Sequence, residues 1–219
     1  MTSKNKHKFD YEFINSMKNP KLVQVGACDG MMADNVRKYI LNRKIQSLLI
    51  EPVSYNFELL KKNYTDEYIR LENTAIDVES RTREITYFID APGNSHAIGL
   101  ASFYFTGWEK KYHKQMRKEI VKCETLDTVL ARNAMLDANV FQIDTEGHDY
   151  YIVKQIPFEK HVNSEFFLAS EHFWDPHTED VNSEKEALVA KLINLGFHVE
   201  FIYGPRGGSR NGLQVKNGN

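Results

Sequence analysis

Apolar positions along the first part of the chain fall into short runs, separated by stretches with helical spacing. Leu22-Val23-Gln24-Val25 leads into Gly26 and predicts a buried strand ended by a glycine. Over 32–42, Val36, Tyr39 and Ile40 recur at helical spacing. Ser47-Leu48-Leu49-Ile50 is a second apolar strand, stopped by Glu51-Pro52. Ser54 is placed to cap a helix running through Tyr64, with Phe57, Leu60 and Tyr64 on one side. A third strand fits Tyr68 to Ile76.

The second half continues the alternation with interruptions. Arg83 to Asp90 alternates as an added strand, and 91–118 is irregular and aromatic-rich. Within it Trp108, Tyr112 and Met116 form one helical stripe, either a covering helix with a solvated basic face or an aromatic and basic lid over an acceptor. Thr125 to Asn133 reads as a helix, Val140 to Asp144 as a strand, and Tyr150 to Ile156 as a helix closed by Pro157. Glu165 to Ser170 is a strand, and Ser183 to Leu195 a helix ended by Gly196. Phe197 to Tyr203 and Gly212 to Lys216 are strands flanking a glycine-rich hairpin loop over 204–211. The sum is an α/β fold with a doubly wound, mostly parallel sheet and an antiparallel C-terminal hairpin. Residues 1–20 are expected as a short arm or helix, and 21–219 as one domain.

Composition agrees with this and removes several classes. At 219 residues, with 42% hydrophobic and 12% aromatic residues, the chain can bury a sizeable core. Lys and Arg number 28 against 30 Asp and Glu, a net charge of −2, which argues against a dedicated nucleic-acid binder. Two cysteines, Cys28 and Cys123, make neither a disulfide framework nor a metal knuckle and are expected as reduced thiols. No apolar run reaches the roughly 18–20 residues that span a bilayer. The basic N-terminus lacks an apolar signal core, so a cytoplasmic location is expected.

In an open α/β sheet the ligand lies beyond the carboxyl ends of the strands. Four carboxylates fall there: Asp29, Glu51, Asp144 and Glu146. Singly, such residues are often caps or solvated loop groups. Converging on one mouth, they would repel a diphosphate and suit a cationic ligand or a metal. The first loop, Gly26-Ala27-Cys28-Asp29-Gly30, lacks the G-x-G-x-x-G spacing of a diphosphate site and sets Asp29 where a phosphate would lie, which disfavours an NAD-linked oxidoreductase. Glu51 follows Gly26 by 25 residues, about the distance of a ribose-binding carboxylate. A nucleoside with a positive, phosphate-free tail fits, and S-adenosylmethionine is one.

Val23 to Gly30 with Asp34, and Ile50 to Tyr64, resemble the FkbM-type S-adenosylmethionine-dependent methyltransferases. Asn73-Thr74-Ala75-Ile76, Glu124 to Leu130, Ile143-Asp144-Thr145-Glu146-Gly147-His148-Asp149-Tyr150 and Glu171-His172 resemble that family's later motifs in the same order, over residues 22–172. The resemblance implies a class I methyltransferase fold with a Rossmann-like, seven-stranded sheet. It also implies methyl transfer to a hydroxyl of a sugar, glycan or glycosylated small molecule. The short flanks differ from the family and predict an acceptor pocket that is open or completed by a second copy of the chain.

On this reading the cofactor is held by Gly26, Ala27, Asp29, Gly30, Asp34, Glu51, Pro52, Asn56, Ala75, Ile76 and Asp144. Gly26 and Gly30 allow close approach of the methionine tail, or serve an ordinary turn. Asp29 faces the ammonium, Glu51 holds the ribose hydroxyls, and Ala75-Ile76 line the adenine. Asn56 either contacts the cofactor or only helps cap its helix. The acceptor's base comes from Asp144, His172, Glu146 or His148, with Asp144 and His172 favoured and His148 alternatively facing solvent on a first helical turn. A divalent ion on Asp144 and Glu146 is open but disfavoured, since their i, i+2 spacing alone is weak evidence for a site. The competing readings are a nucleic-acid methyltransferase using the basic stretch 108–122 with Arg206 and Arg210, and a non-catalytic cofactor-binding module.

Overall fold

Strands that are apolar on consecutive positions form the centre of the sheet, because helices cover both of its faces. The computed structural model describes residues 8–32, 34–89, 99–104, 107–175, 181–203 and 210–217. Five parallel strands lie side by side: β3 (Ile69–Glu72), β2 (Gln46–Ile50), β1 (Lys21–Val25), β7 (Val140–Ile143) and β8 (Phe166–Ser170). β10 (Arg210–Asn217) runs antiparallel to β8, and β9 (His198–Tyr203) pairs antiparallel with β10 at the edge. The result is a seven-stranded, mostly parallel sheet with the expected antiparallel end.

Side chains alternate across the sheet and divide the core in two. Leu22, Leu49, Val140 and Phe167 face α1 (Phe13–Ser16), α2 (Arg37–Arg43) and α3 (Ser54–Asn63). Val23, Leu48, Phe141 and Leu168 face α5 (Leu126–Arg132), α6 (Asp149–Val153) and α7 (Asn182–Asn194). The N-terminal segment is built into the first layer: Tyr11, Ile14 and Met17 are buried there, and the Arg43 guanidinium donates to the carbonyls of Ile14 and Met17.

Several boundaries differ from the sequence expectation. α2 starts at Arg37 because the Asp34 carboxylate accepts the amides of Val36 and Arg37, both at 2.9 Å. Ser54 is the first residue of α3 rather than its cap, and its amide donates to Glu119 at 2.8 Å. The single strand expected over 68–76 breaks in two. Asn73 Nδ2 donates to the carbonyls of Glu51 and Pro52, and Thr74 Oγ1 to that of Lys122, which carries the chain out of the main sheet. β4 (Ala75–Ile76) then joins a second sheet of order β4-β6-β5, with β5 (Arg81–Phe88) antiparallel to β6 (Met116–Glu124).

β6 corrects the expected helical stripe. Helix α4 covers only Trp108–Lys111, and Met116 opens a strand. Tyr112 is buried edge-on against Phe88, with ring centroids 5.8 Å apart. The glycine-rich hairpin loop over 204–209 lies outside the described residues. Among the described residues no helix is long and apolar enough to cross a membrane.

Candidate active site

The strand order reverses between β1 and β7, and the loops leaving these two strands meet there. Gly26 has φ +83°, and a Cβ at this position would lie 1.9 Å from the carbonyl oxygen of Asp144, so only glycine lets the two loops touch. Gly30, at φ +70°, packs against the Tyr64 ring and Leu60 of the α3 region. Cys28 and Glu146, on opposite loops, are both left-handed without being glycine, at φ 49° each. Such backbone gathers at functional sites, where the surroundings hold it in place.

Glu51 is 3% exposed. One carboxylate oxygen accepts the amide of Cys28 and the other that of Val53, each at 2.9 Å, which ties the first loop to the start of α3. Burial pushes this carboxyl up to about 7, with both amides pulling the other way.

A cleft in two joined parts opens beside these loops. The first is lined largely by apolar groups, among them Val25, Pro52, Ala75, Ile76, Ile85, Phe103 and Ile152, with Glu51, Asn56 and Asp144 as polar contributors. The second is polar, lined by Gln24, Ala27, Met32, Asp34, Gln142, Asp144 and Glu146. Gly26, Cys28, Gly99 and Asp144 border both parts.

Of the residues expected to hold a cofactor, Gly26, Glu51, Pro52, Asn56, Ala75, Ile76 and Asp144 line the apolar part, and Ala27 and Asp34 the polar part. Asp29 and Gly30 line neither. Asp29 Oδ1 instead accepts the amides of Met31 and Met32, at 2.9 and 2.8 Å, and closes the turn.

Beside the polar part, Asp144 and Glu146 from the loop after β7 converge with His172 from the loop after β8. His172 Nε2 lies 3.2 Å from Asp144 Oδ1 and 3.8 Å from Glu146 Oε1, and its Nδ1 lies 2.8 Å from Asp175 Oδ2. Burial pulls His172 down, but the carboxylates of Asp144, Asp175 and Glu146 outweigh it and hold the imidazole well above its ordinary value. Burial pushes Glu146 up to about 7, opposed by His172 and reinforced by Asp144. Glu171, next in chain to His172, is likewise raised by burial to about 7 and accepts from Tyr11, Asn35 and Gln142.

Asp149 fixes this constellation and was not among the expected site residues. It is fully buried, and its oxygens accept from Thr145 N (3.0 Å), Thr145 Oγ1 (2.6 Å), Ser170 Oγ (2.8 Å) and His172 N (3.0 Å). One carboxylate therefore ties the β7 loop to the β8 loop. Ser102 adds a second tie, donating to the Glu146 carbonyl at 2.8 Å.

His148 neither faces solvent nor stands free as a base. It is buried, with Nε2 at 3.2 Å from Asp77 and Nδ1 at 2.9 Å from the Tyr104 hydroxyl. Its ring stacks on Tyr151 and forms part of the apolar cleft wall. Asp77 also receives Arg81 and Arg83. Burial alone would raise Asp77, but His148, the Val78 amide and Arg81 hold it well below the usual carboxylate range.

The reversed strand order, with a bipartite cleft at the switch point, defines a Rossmann-like α/β protein whose cleft lies where such folds take their ligands. The sequence comparison is more specific. Residues 24–198 match the methyltransferase FkbM domain, and the chain belongs to that family. The crystal structure of methyltransferase FkbM from Methylobacillus flagellatus KT is similar in fold, with a TM-score of 0.54 at 12% identity. That likeness covers 91% of this chain and 44% of the other, so the present chain spans less than half of that relative's length. Precorrin-6y C5,15-methyltransferase from Geobacter metallireducens GS-15 aligns at a TM-score of 0.40 and 10% identity, over 98% of this chain and 91% of the other. No curated protein sequence matches significantly.

Proposed function

We propose that this chain is an S-adenosylmethionine-dependent O-methyltransferase acting on a hydroxyl of a sugar or glycosylated small molecule. The observation that carries this reading is the shared wall of the cleft. Asp144 borders both an apolar part suited to adenosine and a polar part suited to a hydroxylated acceptor. In this arrangement Ala75 and Ile76 line the adenine, and Glu51 stands at the ribose. Both Glu51 oxygens already accept a backbone amide and the Asn56 side chain adds a third bond to the carboxylate, which leaves one lone pair for a ribose hydroxyl.

The acceptor oxygen attacks the methyl carbon, the C–O bond forms, and the S–C bond breaks with its electron pair passing to sulfur. The acceptor proton passes to Asp144. His172, 3.2 Å from Asp144 and 2.8 Å from Asp175, fixes Asp144 in place. In-line positioning supplies much of the rate, and the base a further factor of ~10²–10⁴.

The test is calorimetric titration with S-adenosylhomocysteine and, separately, with NAD. Micromolar binding of the first that is lost in Glu51→Ala, with no binding of NAD, is the expected result. Binding of NAD instead would overturn the reading. Methyl transfer is then followed by mass spectrometry on a panel of sugars, and Asp144→Asn is expected to lower kcat by at least about 100-fold.

A further inference from the structure

We propose that Asp144, Glu146 and His172 form a binding site for one divalent cation, where the loops leaving β7 and β8 meet. One oxygen from each carboxylate and one imidazole nitrogen lie within 4.8 Å of one another. A cation with ligand distances of about 2.1 Å places neighbouring ligand atoms about 3 Å apart and opposite ones about 4.2 Å apart. The measured separations, 3.2 Å from His172 Nε2 to Asp144 Oδ1 and 3.8 Å to Glu146 Oε1, match that scale.

The supporting contacts are those a metal ligand needs. A coordinating histidine directs its second ring nitrogen to a carboxylate, which fixes the tautomer and the ring plane. His172 Nδ1 does this with Asp175 at 2.8 Å, leaving Nε2 turned to the two acids. Asp149 holds the His172 backbone amide, and Ser102 holds the Glu146 carbonyl, so each ligand sits on a pinned loop.

A second, independent feature marks the same cavity. Gln24 and Gln142, 3% and 4% exposed, line its polar part beside Asp144 and Glu146, and the Oε1 of each has no hydrogen-bond partner. They lie opposite one another in the β1–β7 pairing. Burying an amide oxygen without a donor costs about 1–3 kcal/mol, so both oxygens call for donors from whatever fills the cavity. Water or acceptor hydroxyls bound to a cation are such donors.

Two carboxylates and one imidazole suit a hard or borderline ion such as Mn²⁺ or Mg²⁺. Three protein ligands leave positions for water or for the acceptor oxygen, whose proton a bound cation makes easier to lose. That last role rests on the methyltransferase reading, whereas the site itself does not.

The test uses the whole chain, stripped with a chelator and titrated with Mn²⁺ alone by calorimetry and electron paramagnetic resonance at pH 8. One equivalent is expected to bind at micromolar Kd, and saturation to raise Tm by about 5–10 °C. Glu146→Gln and His172→Asn are each expected to weaken binding at least tenfold. Asp175→Asn, which removes only the positioning contact, is expected to weaken it by about 10–100-fold. S-adenosylhomocysteine is titrated in parallel. Binding of the nucleoside with no stoichiometric Mn²⁺ below about 1 mM would overturn the cation site and leave the methyltransferase reading standing. The reverse result would establish the site and remove its proposed use. If the variants fail to fold, the titration of the unaltered chain still decides.

Discussion

Asp149→Asn is the sharpest test of how the site is held, because it keeps size and shape and changes only hydrogen-bonding character. The carboxylate accepts four hydrogen bonds, two from each loop, including the backbone amides of Thr145 and His172. An asparagine has one oxygen and one NH₂ group. Whichever way it turns, the NH₂ faces one donor pair. The hydroxyl of that pair can rotate to accept, but the backbone amide cannot. The variant therefore loses one or two bonds to a charged acceptor, worth roughly 1.5–3 kcal/mol each, and strands a buried amide. Against this stands the relief of burying a charge, since burial holds the Asp149 carboxyl above its ordinary value. The net loss is about 2–4 kcal/mol, or about 5–15 °C in Tm for a chain of this length. Thermal unfolding followed by circular dichroism at neutral pH measures it. Thr145→Val, which removes the 2.6 Å hydroxyl bond alone, is expected to cost about 1 kcal/mol. A midpoint for Asp149→Asn within about 2 °C of the parent would refute the argument that this carboxylate joins the two loops.

Three further outcomes are expected. Gly26→Ala adds a methyl group 1.9 Å from the Asp144 carbonyl at φ +83°, so S-adenosylhomocysteine affinity measured by calorimetry should fall at least tenfold, and Tm should fall as well. Glu51 carries a carboxyl raised to about 7, so between pH 4.5 and 7 the folded state binds more protons than the unfolded one and stability falls as pH rises through that window. The contribution of Glu51 is about 3 kcal/mol, and urea titrations across this range should show a flatter pH dependence in Glu51→Gln; an unchanged slope would exclude the assignment. His148→Leu leaves Asp77 and the Tyr104 hydroxyl without their shared partner, and should cost about 2–4 kcal/mol in urea unfolding while leaving the shape of the kcat–pH profile unaltered.

The main sheet was legible because its parallel strands are buried on both faces and appear as continuous apolar runs, as in Leu22–Val25 and Leu48–Ile50. The loops that line the cleft followed from their positions at strand ends. Of the second sheet only β5 was legible, as the added strand expected over Arg83 to Asp90, and β6 was not. In β6 only its C-terminal half alternates in burial, exposed Ile120 and Lys122 against buried Val121 and Cys123, while Trp108, Tyr112 and Met116 mimic a helical stripe that ends at Lys111. The burial of His148 was not legible for a related reason. Its partners, Asp77 and Tyr104, lie 71 and 44 residues away in the chain, and no local pattern announces them. Asp149 was visible inside the Asp144-Thr145-Glu146-Gly147-His148-Asp149 run, but its four donors come from two strands that only the tertiary fold brings together.

The chain from β5 to residue 103 completes the site. β5 and the chain that follows it supply Ile85, Ala101, Ser102 and Phe103 to the apolar part of the cleft, opposite the residues at the ends of β1 and β2. Arg83 of β5 lies 3.9 Å over the Phe103 ring while pairing with Asp77, so the wall and the buried His148 network share one cation. Asp77 in turn holds Arg81 and His148, and His148 is followed directly by Asp149, which fixes His172. A continuous set of contacts therefore runs from the second sheet to the carboxylate–histidine cluster. Ser102 adds a direct link, because its hydroxyl donates to the carbonyl of Glu146, the residue whose backbone is left-handed. The parallel sheet provides the loops at the switch point, and the small sheet fixes how two of them are aimed. Variation in this sheet would therefore alter both the shape of the apolar wall and the direction of the Glu146 carboxylate, while leaving in place the contacts of Glu51 with the Cys28 and Val53 amides.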